Sequence, residues 1–192
     1  MYNKEYKGHV CDHSHSLFLD NSLRRIFQNP KKIVGEYIKE GDTIIDLGCG
    51  PGFFSIDMAK MVGGKGKVYS VDLQIEMLDK LKKKANRYHL SNQIHLHQCS
   101  QNQIGLNNDT NADFILAYYM VHEIPDPVRF LSEVKLLLKK GGRFLIVEPL
   151  FHVSKEKFLT LSRKAESLGF TIVGNPAKKG EACCYRFNQD SS

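Results

Sequence analysis

The sequence predicts an α/β fold in which a mostly parallel β-sheet is covered by helices on both faces. Short β-branched or apolar segments alternate along the chain with segments whose apolar residues recur at helical spacing. Residues 112–119 are almost continuously apolar, which is typical of a parallel strand that is buried on both faces. Residues 44–61 read as a strand, a glycine-rich turn and an amphipathic helix. Alternation of this kind produces a parallel sheet between two layers of helices.

The size and composition indicate one globular domain. The chain has 192 residues, of which 42% are hydrophobic and 25% are charged. The longest apolar and aromatic run, residues 114–121, is too short to cross a bilayer. The first residues lack the apolar core of a signal peptide. We therefore expect a cytoplasmic protein without membrane insertion.

The net charge of +6 comes largely from short lysine runs that are scattered along the chain. A basic surface is compatible with RNA or an acidic substrate. These lysines are not interleaved with aromatic residues, however, and they fall on the polar faces of predicted helices or in loops. The pattern favours solvated surfaces over a nucleic-acid interface, which stays as an alternative.

The cysteines and histidines do not predict a metal centre. The five cysteines are odd in number and include no C-x-x-C pair, so we expect reduced thiols with packing roles. Cys11, His13 and His15 would share one face of an extended segment. One interpretation is that they form part of a metal site, although their spacing differs from that of established zinc sites. The other interpretation is an N-terminal flap whose polar side chains line the cofactor or substrate cavity.

The glycine-rich turn is the strongest local signal in the chain. Gly48, Gly50 and Gly52 follow a strand in the pattern G-x-G-x-G, and glycine lets a backbone take strained conformations and touch a ligand. The next helix points its N-terminus at the same place, so a nucleotide-like ligand is expected there. Phe53 replaces the third glycine of the dinucleotide fingerprint, and Pro51 has no N–H. The ligand is therefore expected to be held at ribose and adenine, which argues against a nucleotide-dependent oxidoreductase.

Asp72 ends the next β-rich segment, residues 67–73. A carboxylate about 20 residues after such glycines is placed to accept hydrogen bonds from both ribose hydroxyls. The alternative interpretation is that Asp72 caps the helix that follows.

Patterns of apolar spacing and turn residues predict the other elements. In the helix over residues 75–88 the inward stripe is Ile75, Leu78, Leu81, Ala85 and Tyr88. Asp126 and Pro127 begin a helix that runs to Lys139, before the stop at Gly141-Gly142. The other predicted helices cover residues 17–28, 30–38, 54–61 and 154–168, and the other strands cover residues 93–98, 143–149, 170–173 and 182–187.

Three motifs together resemble the class I S-adenosylmethionine-dependent methyltransferases. They are the turn Asp46–Gly52, Asp72, and the segment Leu137–Arg143 ahead of a strand. The resemblance runs from about Asn29 to about Asn188 and is greatest to small enzymes of the ubiquinone/menaquinone-biosynthesis type. It implies a Rossmann-like, seven-stranded sheet whose last strand is antiparallel and inserted between the fifth and sixth. Residues 1–28 would form an N-terminal flap and cap helix, and residues 29–192 the cofactor-binding domain.

The resemblance also implies S-adenosylmethionine as the cofactor and a set of residues that bind it. Ser100 stands where the family usually has Asp near the adenine amino group. Arg24 or Arg25 would neutralise the methionine carboxylate or an acidic acceptor. The predicted cofactor residues are Asp46, Gly48, Cys49, Gly50, Gly52, Phe53, Asp72, Leu73, Ser100 and Tyr118.

Candidate catalytic groups follow the predicted fourth and fifth strands. Methyl transfer needs an aligned donor and acceptor, and an O–H, N–H or S–H nucleophile must also lose a proton. His122, Glu148 and Tyr118 are the predicted catalytic residues, although many enzymes of this class use no dedicated base. Tyr119, Glu123 and His152 are further candidates.

The sequence favours a small-molecule acceptor, because the chain carries no large substrate-recognition domain. A methyltransferase for RNA or protein is the alternative, which would show salt-sensitive binding to a polyanion in the case of RNA. A non-catalytic cofactor-binding subunit is a third interpretation.

Overall fold

The computed structural model describes residues 28–149, 153–174 and 181–187. Several predictions lie outside these ranges. They are the flap and nearly all of the cap helix over residues 1–28, the Cys11/His13/His15 pattern, Arg24, Arg25 and His152.

The described residues form a seven-stranded sheet in the order β3-β2-β1-β4-β5-β7-β6. Strands β1 to β5 run parallel, and β7 is antiparallel to both of its neighbours, β5 and β6. The predicted fold class and the insertion of the last strand are therefore confirmed. The strands are β1 (Thr43–Leu47), β2 (Lys67–Asp72), β3 (Ile94–Gln98), β4 (Ala112–Tyr118), β5 (Leu138–Glu148), β6 (Phe170–Gly174) and β7 (Glu181–Phe187).

The described residues also form five α-helices, of which the last four connect strands. They are α1 (Pro30–Val34), α2 (Ser55–Val62), α3 (Ile75–Arg87), α4 (Pro127–Leu137) and α5 (Lys155–Ser167). Single turns of 3-10 helix occur at Gly35–Tyr37, Asn108–Thr110 and Val121–Glu123. The Asp126 carboxylate accepts hydrogen bonds from the N–H groups of Val128 and Arg129, so it caps α4 as predicted. No helix in the described ranges is long and apolar enough to cross a lipid bilayer.

The sheet is buried on both faces because alternate strand residues point to opposite sides. Helices α1, α2 and α3 cover one face and pack on residues such as Ile44 and Phe114. Helices α4 and α5 cover the other face, where Ile45 and Ile115 lie. The two apolar layers hold β1 and β4 rigidly at the centre, and the ends of these strands carry the site described below.

Two predictions about the helices were wrong in detail. Helix α4 ends at Leu137, two residues before Lys139, because Leu138 already pairs with Ala112 at the start of β5. A Cβ on Gly142 would lie 2.9 Å from the Lys139 carbonyl oxygen. The glycine therefore allows the close backbone approach at the irregular start of β5.

The second error concerns α3. Ile75 and Tyr88 are about half exposed, and Met77 is buried instead. The two exposed residues stand at the two ends of α3, and Lys60 lies over the Tyr88 ring.

Candidate functional site

A cavity of about 420 Å³ opens where β1, β2 and β4 end. The carboxyl ends of neighbouring parallel strands are where α/β proteins bind ligands. Residues from the glycine-rich turn, the end of β2, the segment after β3 and the segment after β4 form its wall. The lining residues are Asp46, Gly48, Cys49, Gly50, Pro51, Phe53, Phe54, Asp72, Leu73, Gln74, Met77, Cys99, Ser100, Gln101, Tyr118, Tyr119, Met120, His122, Glu123, Ile124 and Pro149.

Three backbone N–H groups of the glycine-rich turn donate hydrogen bonds within the protein. Cys49 N–H donates to the Val71 carbonyl oxygen (3.0 Å) and Gly50 N–H to Asp72 Oδ2 (2.8 Å). Gly52 N–H donates to the Cys49 carbonyl oxygen (3.1 Å), and Pro51 has no N–H. These three N–H groups are therefore not available to a phosphate.

The glycines of this turn serve different purposes. Gly48, Gly50 and Gly52 all have positive φ, which glycine adopts without a steric penalty. A Cβ on Gly52 would lie 2.2 Å from Leu81 Cδ1 of α3. Gly52 is buried and does not line the cavity, so it lets the turn pack against α3 and makes no wall for a ligand.

The Asp72 carboxylate is held by two backbone N–H groups. Its Oδ1 accepts from the Gln74 N–H (2.9 Å), at the start of α3, and its Oδ2 accepts from the Gly50 N–H. The side chain is buried, and desolvation raises the pKa of the carboxyl above its usual value, although the backbone hydrogen bonds act in the opposite direction. A carboxylate has about four acceptor positions, so these two bonds leave room for ligand hydroxyls.

Asp46 lies at the base of the cavity and is almost fully buried. The Ser55 hydroxyl, at the start of α2, donates a hydrogen bond of 2.5 Å to Asp46 Oδ2. This contact connects the carboxylate at the end of β1 to the helix on the far side of the turn, and it fixes the direction in which the carboxylate points.

Two thiols also line the cavity. Burial raises the pKa of the Cys49 thiol well above its usual value and the pKa of Cys99 to about 11. Both are therefore protonated at neutral pH and are poor nucleophiles. Cys99 was not predicted as a site residue, although its position directly after β3 was a usable signal.

The segment after β3 forms the wall opposite the glycine-rich turn. Ser100 is exposed, and its backbone pairs with that of Gln103. A smaller cavity of about 180 Å³ continues beyond Ser100 and Met120 towards Asp126 and Glu133. Gln74, Met77, Met120 and Ile124 were not predicted as lining residues, because they are ordinary core or loop residues in the sequence.

His122 and Glu148 form a closely bound pair. His122 Nδ1 lies 2.6 Å from Glu148 Oε2, and the His122 backbone N–H donates to Glu148 Oε1 (3.0 Å). Glu148 is 1% exposed and lies behind the cavity wall, whereas His122 is part of the wall. The predicted catalytic residue Glu148 therefore does not face the cavity.

A second carboxylate stands on the other side of the imidazole. Glu123 Oε1 lies 4.0 Å from His122 Nε2. The hydrogen bond to Glu148 raises the pKa of His122, with a smaller electrostatic contribution from Glu123, while burial lowers it. Desolvation raises the pKa of the Glu123 carboxyl.

Two tyrosines form an aromatic wall between the turn and His122. The Tyr118 ring lies 4.6 Å from the Phe54 ring and 4.2 Å from the Tyr119 ring, centroid to centroid. Tyr119 has φ of 60°, which is rare for a bulky residue, and its N–H donates to the Val147 carbonyl oxygen. Its hydroxyl accepts a long hydrogen bond of 3.4 Å from Gln28 Nε2.

The charged residues that line the cavity are acidic, although the chain as a whole has a net positive charge. Asp46, Asp72 and Glu123 line it, and no lysine or arginine does so among the described residues. The described ranges also contain no cluster of three or more His, Cys, Asp or Glu residues that could hold a metal ion. The site therefore suits a ligand that carries positive charge and hydroxyl groups, and it does not suit a pyrophosphate.

Comparison with known proteins agrees with this geometry. Residues 38–178 match the family model described as "Methyltransferase domain". The chain is 32% identical over 133 residues to a demethylmenaquinone methyltransferase of Lactobacillus johnsonii, a match that covers 69% of this chain and 52% of the relative. It is 31% identical over 115 residues to a 2-phytyl-1,4-naphtoquinone methyltransferase of Trichormus variabilis, covering 59% and 48%. The chain thus spans about half the length of these curated relatives.

A solved structure supports the same grouping over most of the chain. A SAM-dependent methyltransferase from Aquifex aeolicus superposes with a TM-score of 0.82 at 28% identity, covering 93% of this chain and all of that one. A second structure, from Methanococcus maripaludis, has a TM-score of 0.77 at 18% identity over the whole of this chain and 99% of that one, and it shows the fold alone.

Proposed function

Because this chain belongs to the class I S-adenosylmethionine-dependent methyltransferase family, we propose that it moves a methyl group from S-adenosylmethionine to a small-molecule acceptor. S-adenosylmethionine is the cofactor of this family. Its sulfonium and ammonium groups are cationic, its ribose carries two hydroxyls, and it contains no phosphate.

The main support for this proposal is the chemical character of the cavity lining. The cavity is lined by carboxylates and by a turn in which the N–H groups of Cys49, Gly50 and Gly52 donate hydrogen bonds within the protein. A dinucleotide would bring a pyrophosphate, which needs free N–H donors or cations. The cofactor of this family instead brings positive charge to Asp46 and hydroxyls to Asp72.

The predicted cofactor residues that line the cavity have separate roles in this proposal. Asp72 accepts from the ribose hydroxyls, and Leu73 and Ser100 lie along the adenine. Phe53 and Tyr118 pack against the adenosine, and the backbone at Gly48, Cys49 and Gly50 lets the ligand approach closely. Asp46 faces the cationic end of the cofactor.

The residues on the acceptor side of the cavity favour a small-molecule acceptor. It is built from aromatic and apolar groups, namely Phe54, Tyr119, Ile124 and Pro149, beside His122. Two relatives are named as methyltransferases of demethylmenaquinone and of 2-phytyl-1,4-naphtoquinone, both of which are ring compounds. His122 is proposed as the group that meets the acceptor, with Tyr118 beside it as an aligning residue.

Calorimetric titration with S-adenosylhomocysteine, with NAD as the control ligand, tests the proposal. We expect S-adenosylhomocysteine to bind and NAD not to bind. Asp72→Ala should weaken binding by about 1–3 kcal/mol, because it leaves the ribose hydroxyls without their acceptor. Asp79→Ala, an exposed position on α3, is the matched control and should bind as the native protein does. Binding of NAD alone would overturn the proposal.

A further inference from the structure

We infer that Glu148 is a positioning residue that holds the proton of His122 on Nδ1, so that Nε2 faces the cavity as a proton acceptor. This inference rests on the proposed function, and it adds a direction of proton transfer and a requirement on the acceptor. The nucleophilic atom of the acceptor must carry a proton in the bound state.

The first support is the geometry of the carboxylate. Glu148 contacts the same residue twice, through the backbone N–H of His122 and through its ring at Nδ1. An ionised carboxylate only accepts hydrogen bonds, so the nitrogen 2.6 Å away must be the donor. In the neutral imidazole the other nitrogen, Nε2, then carries a lone pair.

The second support is the direction in which the ring is held. Glu148 is buried at the end of β5 and lies outside the cavity wall, and Nδ1 points towards it. Nε2, the other ring nitrogen, points away from Glu148 and lies near Glu123, which lines the cavity. The basic nitrogen is therefore the one that an acceptor in the cavity meets.

The chemistry then balances without a further reactant. With the cofactor bound, an acceptor atom that carries a proton, in an O–H, N–H or ring C–H group, would attack the methyl carbon, the C–S bond would break, and its electron pair would stay on sulfur to give a neutral thioether. The acceptor proton passes to His122 Nε2, and the imidazolium that forms is stabilised by Glu148 at Nδ1. A nucleophile without a proton, such as a thioether or a tertiary amine, has no need of this arrangement.

Glu148→Gln separates positioning from mere packing, because glutamine has almost the same shape. The backbone N–H of His122 can only donate, so it takes the single amide oxygen of the glutamine. The amide NH₂ then faces Nδ1, which must become an acceptor. The proton moves to Nε2, and the ring presents a donor to the cavity.

The direct test is heteronuclear NMR on protein with isotope-labelled histidine, at a pH where the ring is neutral. His122 signals are assigned by their loss in His122→Ala. We expect a protonated Nδ1 and an unprotonated Nε2 in the native protein, and the reverse in Glu148→Gln. A native ring with its proton on Nε2 would overturn the inference, and this measurement needs neither an acceptor nor turnover.

The kinetic test uses an acceptor found by screening ring compounds that carry hydroxyl or amino groups. Glu148→Gln should lower kcat by ~10²- to 10⁴-fold, the usual contribution of general base catalysis, with the affinity for S-adenosylhomocysteine retained. Glu156→Gln, an exposed position on α5, should leave both unchanged. Unchanged kcat in Glu148→Gln would overturn the inference.

The two proposals fail in different ways. If the native protein does not bind S-adenosylhomocysteine, the proposed function fails, whatever the tautomer of His122. If the cofactor product binds but the proton sits on Nε2, the function stands and the role of Glu148 is wrong.

Discussion

His122 shows how much one residue depends on its neighbours. Two carboxylates flank its ring, Glu148 from β5 at Nδ1 and Glu123 from its own 3-10 turn at Nε2. Desolvation is the main cause of the raised pKa of Glu123, and the negative charges of Glu148 and of Asp72 on β2 raise it further. The hydrogen bond from His122 Nδ1 to the Glu148 carboxylate is the largest cause of the raised pKa of His122, so the ring keeps its proton to higher pH than an ordinary histidine.

The pH dependence of turnover follows from this direction. A base acts only when it is unprotonated. We therefore expect kcat to be low at pH values below the raised pKa of His122 and to increase as the pH rises through that pKa. Glu123→Gln removes a charge that favours the imidazolium, so the rising limb should move to lower pH. The measurement is the pH profile of kcat for both proteins at saturating cofactor. A limb that stays in place, or moves to higher pH, would contradict the assignment of this limb to His122.

At the scale of elements, the turn between β1 and α2 is held from several sides. Asp72 binds its Gly50 N–H, the Lys84 ammonium of α3 donates to the Pro51 carbonyl oxygen (2.8 Å), and Gly52 packs on Leu81. The turn is thus a rigid wall of the cavity because β2 and α3 support it.

Glycine substitutions within this turn should separate close packing from backbone conformation. Gly52→Ala places a Cβ 2.2 Å from Leu81 Cδ1, whereas a Cβ at Gly50 would meet nothing within 4 Å. Both glycines have positive φ, 53° at Gly50 and 85° at Gly52, so both substitutions carry a backbone penalty. Gly52→Ala should lower the free energy of unfolding by about 1–3 kcal/mol more than Gly50→Ala, the usual effect of overpacking.

Urea denaturation of the two variants measures this difference. The combination Gly52→Ala with Leu81→Ala should show non-additive effects, because the smaller side chain makes room for the added methyl group. Equal loss in Gly52→Ala and Gly50→Ala would show that the contact with Leu81 is not what requires glycine at position 52.

At the scale of the whole molecule, the global and the local charge have opposite signs. The chain carries a net charge of +6, while the lining of the cavity holds three carboxylate side chains, Asp46, Asp72 and Glu123, and no lysine or arginine in the described ranges. Interactions over more than about 10 Å are screened at moderate salt, so the nearby carboxylates should dominate ligand binding.

A comparison of two ligands tests which charge governs the site. S-adenosylmethionine differs from S-adenosylhomocysteine by one methyl group and one positive charge. We expect the affinity for S-adenosylmethionine to fall as salt rises, while that for S-adenosylhomocysteine changes little. The check is calorimetry at low and high sodium chloride. A rise in S-adenosylmethionine affinity with salt would mean that the net positive charge governs binding.

Features that depend on local pattern could be predicted from the sequence. The glycine-rich turn, the strand that ends at Asp72 and the alternation of strands and helices are each written within about ten neighbouring residues, and the period of apolar residues reports their burial. The seven-stranded order followed from the resemblance to the family. These features place the cavity at the ends of β1, β2 and β4.

Contacts between residues that are far apart in sequence could not be predicted and are known only from the folded structure. It directs Glu148 away from the cavity and onto His122, presses Gly52 against Leu81 of α3, and begins β5 at Leu138 because Ala112 lies beside it. Each outcome depends on distances between different strands and helices. Such distances are set by packing of the whole sheet, and no periodicity in the chain encodes them.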